Sequence, residues 1–475
     1  MHRLLRSSLR TAWSLLRFTG PAVLVAVAGA AACGGGGGGS SGFVAGDDSG
    51  SLADASTSRD GAGDSTTSGG DTGAGSDGSL AGPDAVGSSS GGGTGAGDAA
   101  FAFDGFAHPD GYSEASYCPD DDGDGWTVCA GDCNDHDSQI NPCAFDTSDP
   151  TDAVGHDGID NDCDGKIDNL ITCENPAAAG TFDGNPVDYA NASDLCDNPV
   201  CPRLVQSRAI WYGPSPASAR RITKHMGTQG AFNPRQGAIM SFLSSGTAED
   251  ATDLAGYATC PGTDFNTTFT NPMPLPASQN TNPCGTGVDE TTVPVHDYTE
   301  LRMTIKAPVN AGSFSFDFAF FSEEYPVYIC QGYNDTFLAI QTSQQYPAGT
   351  EISFDANNHR INVNNSFFQD CNPCADCVAG QAGVNITCPK TIAPLAGTFY
   401  EVALGPSSAP PSNCNLSHGS GGTDWLTTTS PIVPGETFTL SWIVFDENDG
   451  ILDSAAILDH FRWHSTTLGS PVTAR

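Results

Sequence analysis

The stretch that most restricts how this chain can fold is strongly acidic and lies between residues 118 and 168. It contains 15 aspartates and a single lysine, Lys166. Carboxylates at this density repel one another, so the stretch needs bound cations or full solvation. Its low apolar content also means that it cannot fold around a hydrophobic core of its own.

Two copies of a short motif in this stretch predict calcium loops. Both copies read D-x-D-x-D-G, from Asp120 to Gly125 and from Asp160 to Gly165. Alternate carboxylates converge on one hard cation when the chain curls around it, and glycine permits the sharp bend. Neither copy has the glutamate that closes an EF-hand at position twelve. The predicted calcium ligands are Asp120, Asp122, Asp124, Asp132, Asn134, Asp137, Asp157, Asp160, Asp162, Asp164 and Asp168. The alternative is a solvated acidic loop without an ion.

The strings "DDDGDGWTVCAGDCNDHDSQINP" and "DGIDNDCDGKID" resemble the acidic MopE-type metal-binding repeat of exported bacterial surface proteins. The sequence departs from that family at Cys143, where glycine is usual. The family name points partly to copper, but hard oxygen ligands favour calcium. Copper would use imidazoles, and the available histidines, His108, His136 and His156, are scattered. Disulfides are predicted among Cys118, Cys129, Cys133, Cys143, Cys163 and Cys173.

The N-terminus has the pattern of a secretory signal peptide, residues 1–32. Four arginines precede the apolar run "AVLVAVAGAAA", which ends at Cys33. Small residues before a cysteine resemble the lipobox of bacterial lipoproteins, which implies a lipid on Cys33 and attachment to the outer membrane. The alternative is ordinary signal cleavage that leaves Cys33 free. The chain has 17 cysteines, and the 16 other than Cys33 can pair completely in an oxidising compartment.

Residues 33–100 are predicted to be a disordered linker. The segment consists almost entirely of Gly, Ser, Ala, Asp and Thr and has no aromatic residue after Phe43. It cannot bury enough apolar surface to offset its ordering entropy. The whole chain carries a formal net charge of −38, which argues against nucleic acid as a partner. The acidic module is placed at 101–175.

The main folded domain is predicted at 196–475 as a jelly-roll-like antiparallel β-sandwich. Apolar residues alternate in "FSFDFAF", in "TFTLSWIVF" and from Leu301 to Ile305, as strands with one buried face require. One short helix is predicted from Asn233, as its N-cap, to Gly246. The fold class is therefore mainly β with one short helix, preceded by the acidic module and the linker.

Three longer strings in this domain resemble the choice-of-anchor L family of exported bacterial proteins. They are "FFSEEYPVYICQGYNDTFLAI", "VNNSFF" and "GGTDWLTTTSPIVPGETFTLSWIVFDENDGILDSAAILDHFRW". The resemblance covers residues 200–465 and implies an exported surface protein with a poorly defined biochemical activity. In an exported chain, the C-x-x-C-x-x-C spacing of "CNPCADC" favours disulfides over zinc or iron–sulfur ligation. The cysteines concerned are Cys330, Cys371, Cys374, Cys377, Cys388 and Cys414.

A second calcium site is predicted inside the sandwich. On the predicted strand, Asp459 shares a face with apolar Ile457, Phe461 and Trp463, where a lone carboxylate is costly. It would need a cation, or else Arg462 or loop amides as partners. The candidate ligands are Glu323, Glu324, Asn334, Asp335, Asp446, Glu447, Asp449, Asp453 and Asp459.

Catalysis is not predicted, because no nucleophile, base and orienting group can be named together. Glu323 and Glu324 are neighbours on a predicted strand and should point to opposite faces, so they would not share one scissile bond. The favoured function is a calcium-stabilised surface module that binds a glycan or a protein. Tyr325, Tyr328 and Tyr333 are candidates for stacking on sugars. An extracellular hydrolase acting on polysaccharide or protein is the alternative.

Overall fold

The computed structural model describes the chain from Cys118 onward, with several gaps. The described residues are 118–180, 182, 184–197, 200–201, 204–249, 263–270, 294–375, 378, 383–401 and 420–475. The predicted signal peptide, Cys33, the linker and His108 lie outside these residues. The side chains of 204–208, 374 and 375 also lie outside what is described.

The described residues form mainly short and medium-length strands. One α-helix, α1, spans Pro186–Ala192, and four 3₁₀ turns span Val128–Ala130, Pro176–Ala178, Ala217–Ala219 and Ala393–Leu395. The strands are β1 (Leu204–Tyr212), β2 (Arg220–Thr223), β3 (Met240–Ser244), β4 (Thr268–Phe269), β5 (Val295–Lys306), β6 (Ser313–Ser322), β7 (Thr336–Thr342), β8 (Thr350–Glu351), β9 (Ile361–Asn362), β10 (Asp370–Cys371), β11 (Cys374–Ala375), β12 (Asn385–Ile386), β13 (Gly421–Gly422), β14 (Leu426–Pro431), β15 (Thr437–Glu447), β16 (Ser454–His464) and β17 (Val472–Ala474).

Two antiparallel sheets form the sandwich. The first has the order β1-β5-β15-β7-β8, with β4 beside β5 and β9 beside β7. The second has the order β10-β13-β6-β16-β3-β2, with β14 beside β6 and β17 beside β14. The long strands alternate between the sheets, because β5, β7 and β15 lie in the first and β6, β14 and β16 in the second. This confirms the predicted fold class of mainly antiparallel sheets.

The main hydrophobic core lies between the sheets, and the predicted alternation supplies it. Four alternate phenylalanines of β6 are fully buried in it, and they face alternate apolar residues of β5 and β15. These core residues are Leu301, Met303, Ile305, Phe314, Phe316, Phe318, Phe320, Phe438, Leu440, Trp442 and Val444. The three alternating segments are therefore strands with their apolar faces inward, as predicted.

The outer faces of both sheets are also covered. Phe321 and Ile457 lie on the outer face of the second sheet, in a cluster with Phe232, Tyr400 and Trp425 from loops. On the first sheet, a smaller outer cluster includes Tyr298, Leu338, Ile443 and Phe445. Central strands such as β6 are consequently buried along their whole length.

The predicted helix at 233–246 is wrong. Met240–Ser244 is strand β3, and all five of its residues are buried. Leu243 points into the main core while Phe242 points into the outer cluster. A strand that is apolar on both faces cannot be told from a buried helix by spacing alone. The helix lies instead at α1, where Asn185 Oδ1 accepts a hydrogen bond from Val187 N and Pro186 occupies the first helical position.

The acidic segment is packed and cross-linked onto the sandwich. Four disulfides involve the six cysteines predicted there, but two of them reach forward along the chain: Cys118–Cys129, Cys133–Cys163, Cys143–Cys201 and Cys173–Cys196. Phe145 belongs to the main core, and its backbone N and O both hydrogen-bond the side chain of Asn310, each at 2.9 Å. The described residues, from Cys118 onward, belong to one compact unit.

The second predicted disulfide group is confirmed in part. Cys371 pairs with Cys388, and Cys330 is also disulfide-bonded. Cys377 and Cys414 lie outside the described residues.

Candidate metal centres

The first D-x-D-x-D-G loop is shaped by its own carboxylates. Asp120 accepts hydrogen bonds from the backbone N of Gly123 (2.6 Å) and Gly125 (3.0 Å). Asp122 accepts a hydrogen bond from Asp124 N at 3.1 Å, and Asp124 accepts one from Trp126 N at 2.7 Å. Gly125 has φ = 94°, which a residue with a Cβ rarely adopts. The motif therefore curls the chain as the sequence predicts.

The second loop repeats this bonding pattern residue for residue in several places. Asp160 accepts from Gly165 N at 2.9 Å, as Asp120 does from Gly125. Asp162 accepts from Asp164 N at 3.2 Å, and Asp164 accepts from Lys166 N at 2.8 Å. Gly165 has φ = 87°. The Cys133–Cys163 disulfide ties the second loop to the segment that follows the first.

The first loop brings three carboxylates together. One oxygen from each of Asp120, Asp122 and Asp124 lies within 4.8 Å of the others. Asp132 lies close enough to this group for the charges of Asp124 and Asp122 to act on it. Its pKa is raised first by burial and then by these charges. Asp132 is 3% exposed, and its Oδ2 has no hydrogen-bond partner among the described residues. The arrangement offers convergent hard oxygen ligands to a cation.

A second group of three carboxylates includes one residue that the sequence prediction missed. Oxygens of Asp146, Asp160 and Asp162 lie within 4.8 Å of one another. Burial raises the pKa of Asp146 to about 7, and the charges of Asp162, Asp160 and Asp168 contribute. The Asp146 side chain is 6% exposed, and within the described part of the chain its Oδ2 lacks a hydrogen-bond partner. Its only sequence signal is its position directly after the apolar Phe145, which places it next to the core.

The other predicted ligands of this segment lie outside the two groups. Asp164 forms an ion pair with Lys166 at 3.1 Å, and Asp168 lies 3.7 Å from Nδ1 of His156. Asp137 and Asp157 cap nearby backbone N–H groups, and Asn134 is exposed. Neither carboxylate group found in the described residues includes a histidine.

Most of the candidate ligands in the sandwich meet at one end of it. Glu323 and Glu324 follow β6, Asn334 and Asp335 precede β7, Asp446 and Glu447 end β15, and Asp453 precedes β16. All seven are buried, whereas Asp449 is partly buried beside them. The charge of Asp335 acts on the carboxyls of both Glu323 and Glu324. Strand alternation does not apply to them, because β6 ends at Ser322.

Asp459 does not belong to this group. A register shift lies between Asp459 and Arg462, with φ = 58° at His460. It reverses the face of the sheet to which the following side chains point. Phe461 and Trp463 therefore pack in the main core while Ile457 faces the outer cluster, so the predicted shared face is wrong. Asp459 accepts hydrogen bonds from the backbone N of Arg235 and Gln236, which is the loop-amide alternative.

The Asp459 carboxyl makes the stability of the protein depend on pH. Burial, followed by the charge of neighbouring Asp194, raises its pKa to about 9, from an ordinary value near 4. The folded state therefore holds a proton that the unfolded state releases, so stability falls as pH rises through this range. Asp459→Asn should reduce this loss, by at most about 1.4 kcal/mol per pH unit, the value for one proton. Urea unfolding at several pH values tests this, and an unchanged slope in the variant would contradict it.

Of the three predicted sugar-stacking tyrosines, Tyr325 is not available at the surface. It is 7% exposed, and its ring stacks on Phe368 with centroids 4.1 Å apart. Tyr328 and Tyr333 are partly exposed and contact each other edge to face at 5.4 Å.

These features define a class of protein, a two-sheet β-sandwich that carries a disulfide-stapled acidic segment. Residues 285–461 match the family model of the choice-of-anchor L domain, within the longer range of the sequence resemblance. Such a domain suggests a surface-associated, non-catalytic protein. The match does not reach residues 118–168, so it does not support the MopE-type resemblance. No curated protein and no solved structure matches the chain. No helix among the described residues has the length and apolar character needed to cross a membrane.

Proposed function

We propose that this protein is an exported, non-catalytic surface protein whose acidic segment binds calcium through its two D-x-D-x-D-G loops. The observation that carries the proposal is a group of three carboxylates at each loop. The first loop forms its group alone, whereas Asp160 and Asp162 of the second loop form theirs with Asp146. In both places a nearly fully buried carboxylate, Asp132 or Asp146, has an oxygen without a partner among the described residues. A bound divalent cation satisfies such oxygens and offsets their mutual repulsion.

Calcium fits these groups better than copper. The convergent ligands are carboxylate oxygens, which suit hard cations, whereas copper prefers imidazole or sulfur. His136 Nδ1 lies 2.8 Å from Asp135 O, and His156 Nδ1 lies 3.2 Å from Thr147 O, so both rings are engaged locally. Calorimetry on the full chain should show heat of binding with calcium. Absent heat with calcium together with tight copper uptake would overturn the assignment.

In the second group, an ion would act as a cross-link between the acidic segment and the sandwich. Asp146 directly follows Phe145, whose side chain lies in the main core. Asp160 and Asp162 belong to the loop tied by Cys133–Cys163. An ion held by these three carboxylates would therefore fix the loop next to the sandwich in addition to the disulfides.

The partner class that we propose is an extracellular glycan or surface protein. The choice-of-anchor L match supports a surface role. A glycan array and a cell-binding assay, each run with calcium and with chelator, test for adhesion. A hydrolase acting on extracellular polysaccharide or protein is the alternative, and turnover of a substrate panel would favour it.

We further propose that a lipid on Cys33 attaches the protein to the outer membrane and that residues 34–100 act as a flexible spacer. The support is the small-residue run before Cys33 and the Gly- and Ser-rich composition after it. Cys33→Ala should move the protein from the membrane fraction to the soluble fraction on cell fractionation. Retention of the variant in the membrane fraction would show that lipid is not the anchor.

A further inference from the structure

Four central strands place acidic residues at the same end of the sandwich. In the second sheet the end of β6 lies beside the start of β16, with Ser322 opposite Ser454. In the first sheet the end of β15 lies beside the start of β7, with Phe445 opposite Thr336. The residues just beyond these positions are Glu323, Glu324, Asp335, Asp446, Glu447 and Asp453, here called the end cluster.

The end cluster is buried, and the charges that act on it are largely its own. All six side chains are at most 3% exposed. Both charged groups that act on Glu323, Asp453 and Asp335, are acidic. Burial and then the charge of Asp335 raise the pKa of Glu324 and of Asp446, and burial raises that of Asp335 to about 8. Adjacent carboxylates that are removed from water repel one another, which is strongly unfavourable.

Glu323 supplies a second, independent indication of a ligand. Its side chain is 1% exposed, and neither carboxylate oxygen has a hydrogen-bond partner in the described part of the chain. One oxygen of Glu324 is in the same state. Buried polar atoms in native proteins are normally paired with protein, water or an ion.

Several other buried carboxylates of the sandwich have donors or cations near them. Asp370 lacks a hydrogen-bond partner among the described residues, but the positive charges of Lys390 and Arg475 act on it. Asp297 accepts hydrogen bonds from Phe265 N, Thr267 N and Thr267 Oγ1. Asp317 has Arg235 at 3.2 Å and His460 at 2.9 Å. Glu351 accepts from Ala339 N at 3.1 Å and Ser353 N at 2.9 Å. In the end cluster, Asp335 accepts from Ser454 Oγ at 2.7 Å and Asp453 accepts from Thr263 N at 3.0 Å. Glu323 has no such donor among the described residues.

We propose that the end cluster is a second calcium site, separate from the acidic loops, which joins the two sheets at this end of the sandwich. Carboxylate oxygens from four strand ends match the ligand chemistry of a hard divalent cation. No three end-cluster carboxylates approach within 4.8 Å of one another in the described structure, unlike those of the loops. Under this proposal, calcium binding requires the end-cluster carboxylates to move closer together.

The test uses the full chain with its loops disabled by Asp122→Asn, Asp146→Asn and Asp162→Asn. This loop variant should still bind calcium in equilibrium dialysis and should melt a few degrees higher with excess calcium than with chelator. Adding Glu323→Gln and Asp446→Asn should abolish both effects. Adding Glu351→Gln instead, a buried glutamate with its own amide donors, should leave both intact.

The melting temperature in chelator shows whether the end-cluster variant is folded, so that a loss of calcium binding is not mistaken for misfolding. Neutral amides relieve the repulsion, so the end-cluster variant should melt in chelator at or above the temperature of the loop variant. If the double substitution does not fold, Glu323→Gln alone is judged by the same criteria. A loop variant that neither binds calcium nor melts higher with it overturns the end-cluster site. Equal calcium binding by the loop variant and the unmodified chain instead overturns the proposed loop sites, so the two failures are distinguishable.

Discussion

Phe316→Ala should lower the free energy of unfolding by about 3–5 kcal/mol. Phe316 is fully buried in the main core, where its ring lies 5.3 Å from that of Trp442 and 5.9 Å from that of Phe318. The substitution removes a large apolar side chain and leaves a cavity that neighbouring strands fill only in part. Chemical denaturation monitored by tryptophan fluorescence measures the change.

The control for this prediction is Val472→Ala on β17. Val472 is 51% exposed, so its truncation should change stability by no more than about 0.5 kcal/mol. Similar effects of the two substitutions would contradict the assignment of β6 to the centre of the core.

Removing calcium should be the other large effect. An ion that binds only the folded state stabilises it by about 2.7 kcal/mol at a concentration about 100-fold above its dissociation constant. Loss of the ion from either loop should therefore lower the free energy of unfolding by about 2.7 kcal/mol. In calcium, Asp122→Asn should lower the free energy of unfolding by the contribution of the first loop, and Asp162→Asn by that of the second. In chelator, neither substitution should have this effect. Thermal unfolding of both variants, with and without calcium, provides the measurement.

Asp121→Asn is the matched control, because Asp121 lies between two predicted ligands but is absent from the carboxylate group. It removes the same charge from an exposed position. If Asp121→Asn lowers stability in calcium as much as Asp122→Asn does, the effect reflects overall charge and not ligation.

The strands of the core were predictable because period-two alternation records which face of a strand is buried. Phe314, Phe316 and Phe318 carry this signal without ambiguity. Met240–Ser244 does not, because both of its faces are covered and the alternation disappears. Long-range packing, which local spacing does not encode, decided between helix and strand there.

The candidate sites were predictable where the ligands are close in sequence. The D-x-D-x-D-G copies identified Asp120, Asp122, Asp124, Asp160 and Asp162. Asp146 was missed because it joins its group through tertiary contacts. Asp459 was misplaced because a register shift in β16 cannot be read from the alternation that it interrupts.

The most direct test of the calcium loops is diffraction from crystals of the protein grown in calcium, at a wavelength where calcium scatters anomalously. The predicted result is one anomalous peak among Asp120, Asp122 and Asp124 and another among Asp146, Asp160 and Asp162. Density that shows both loops ordered but no anomalous peak at either position, in saturating calcium, would contradict the account.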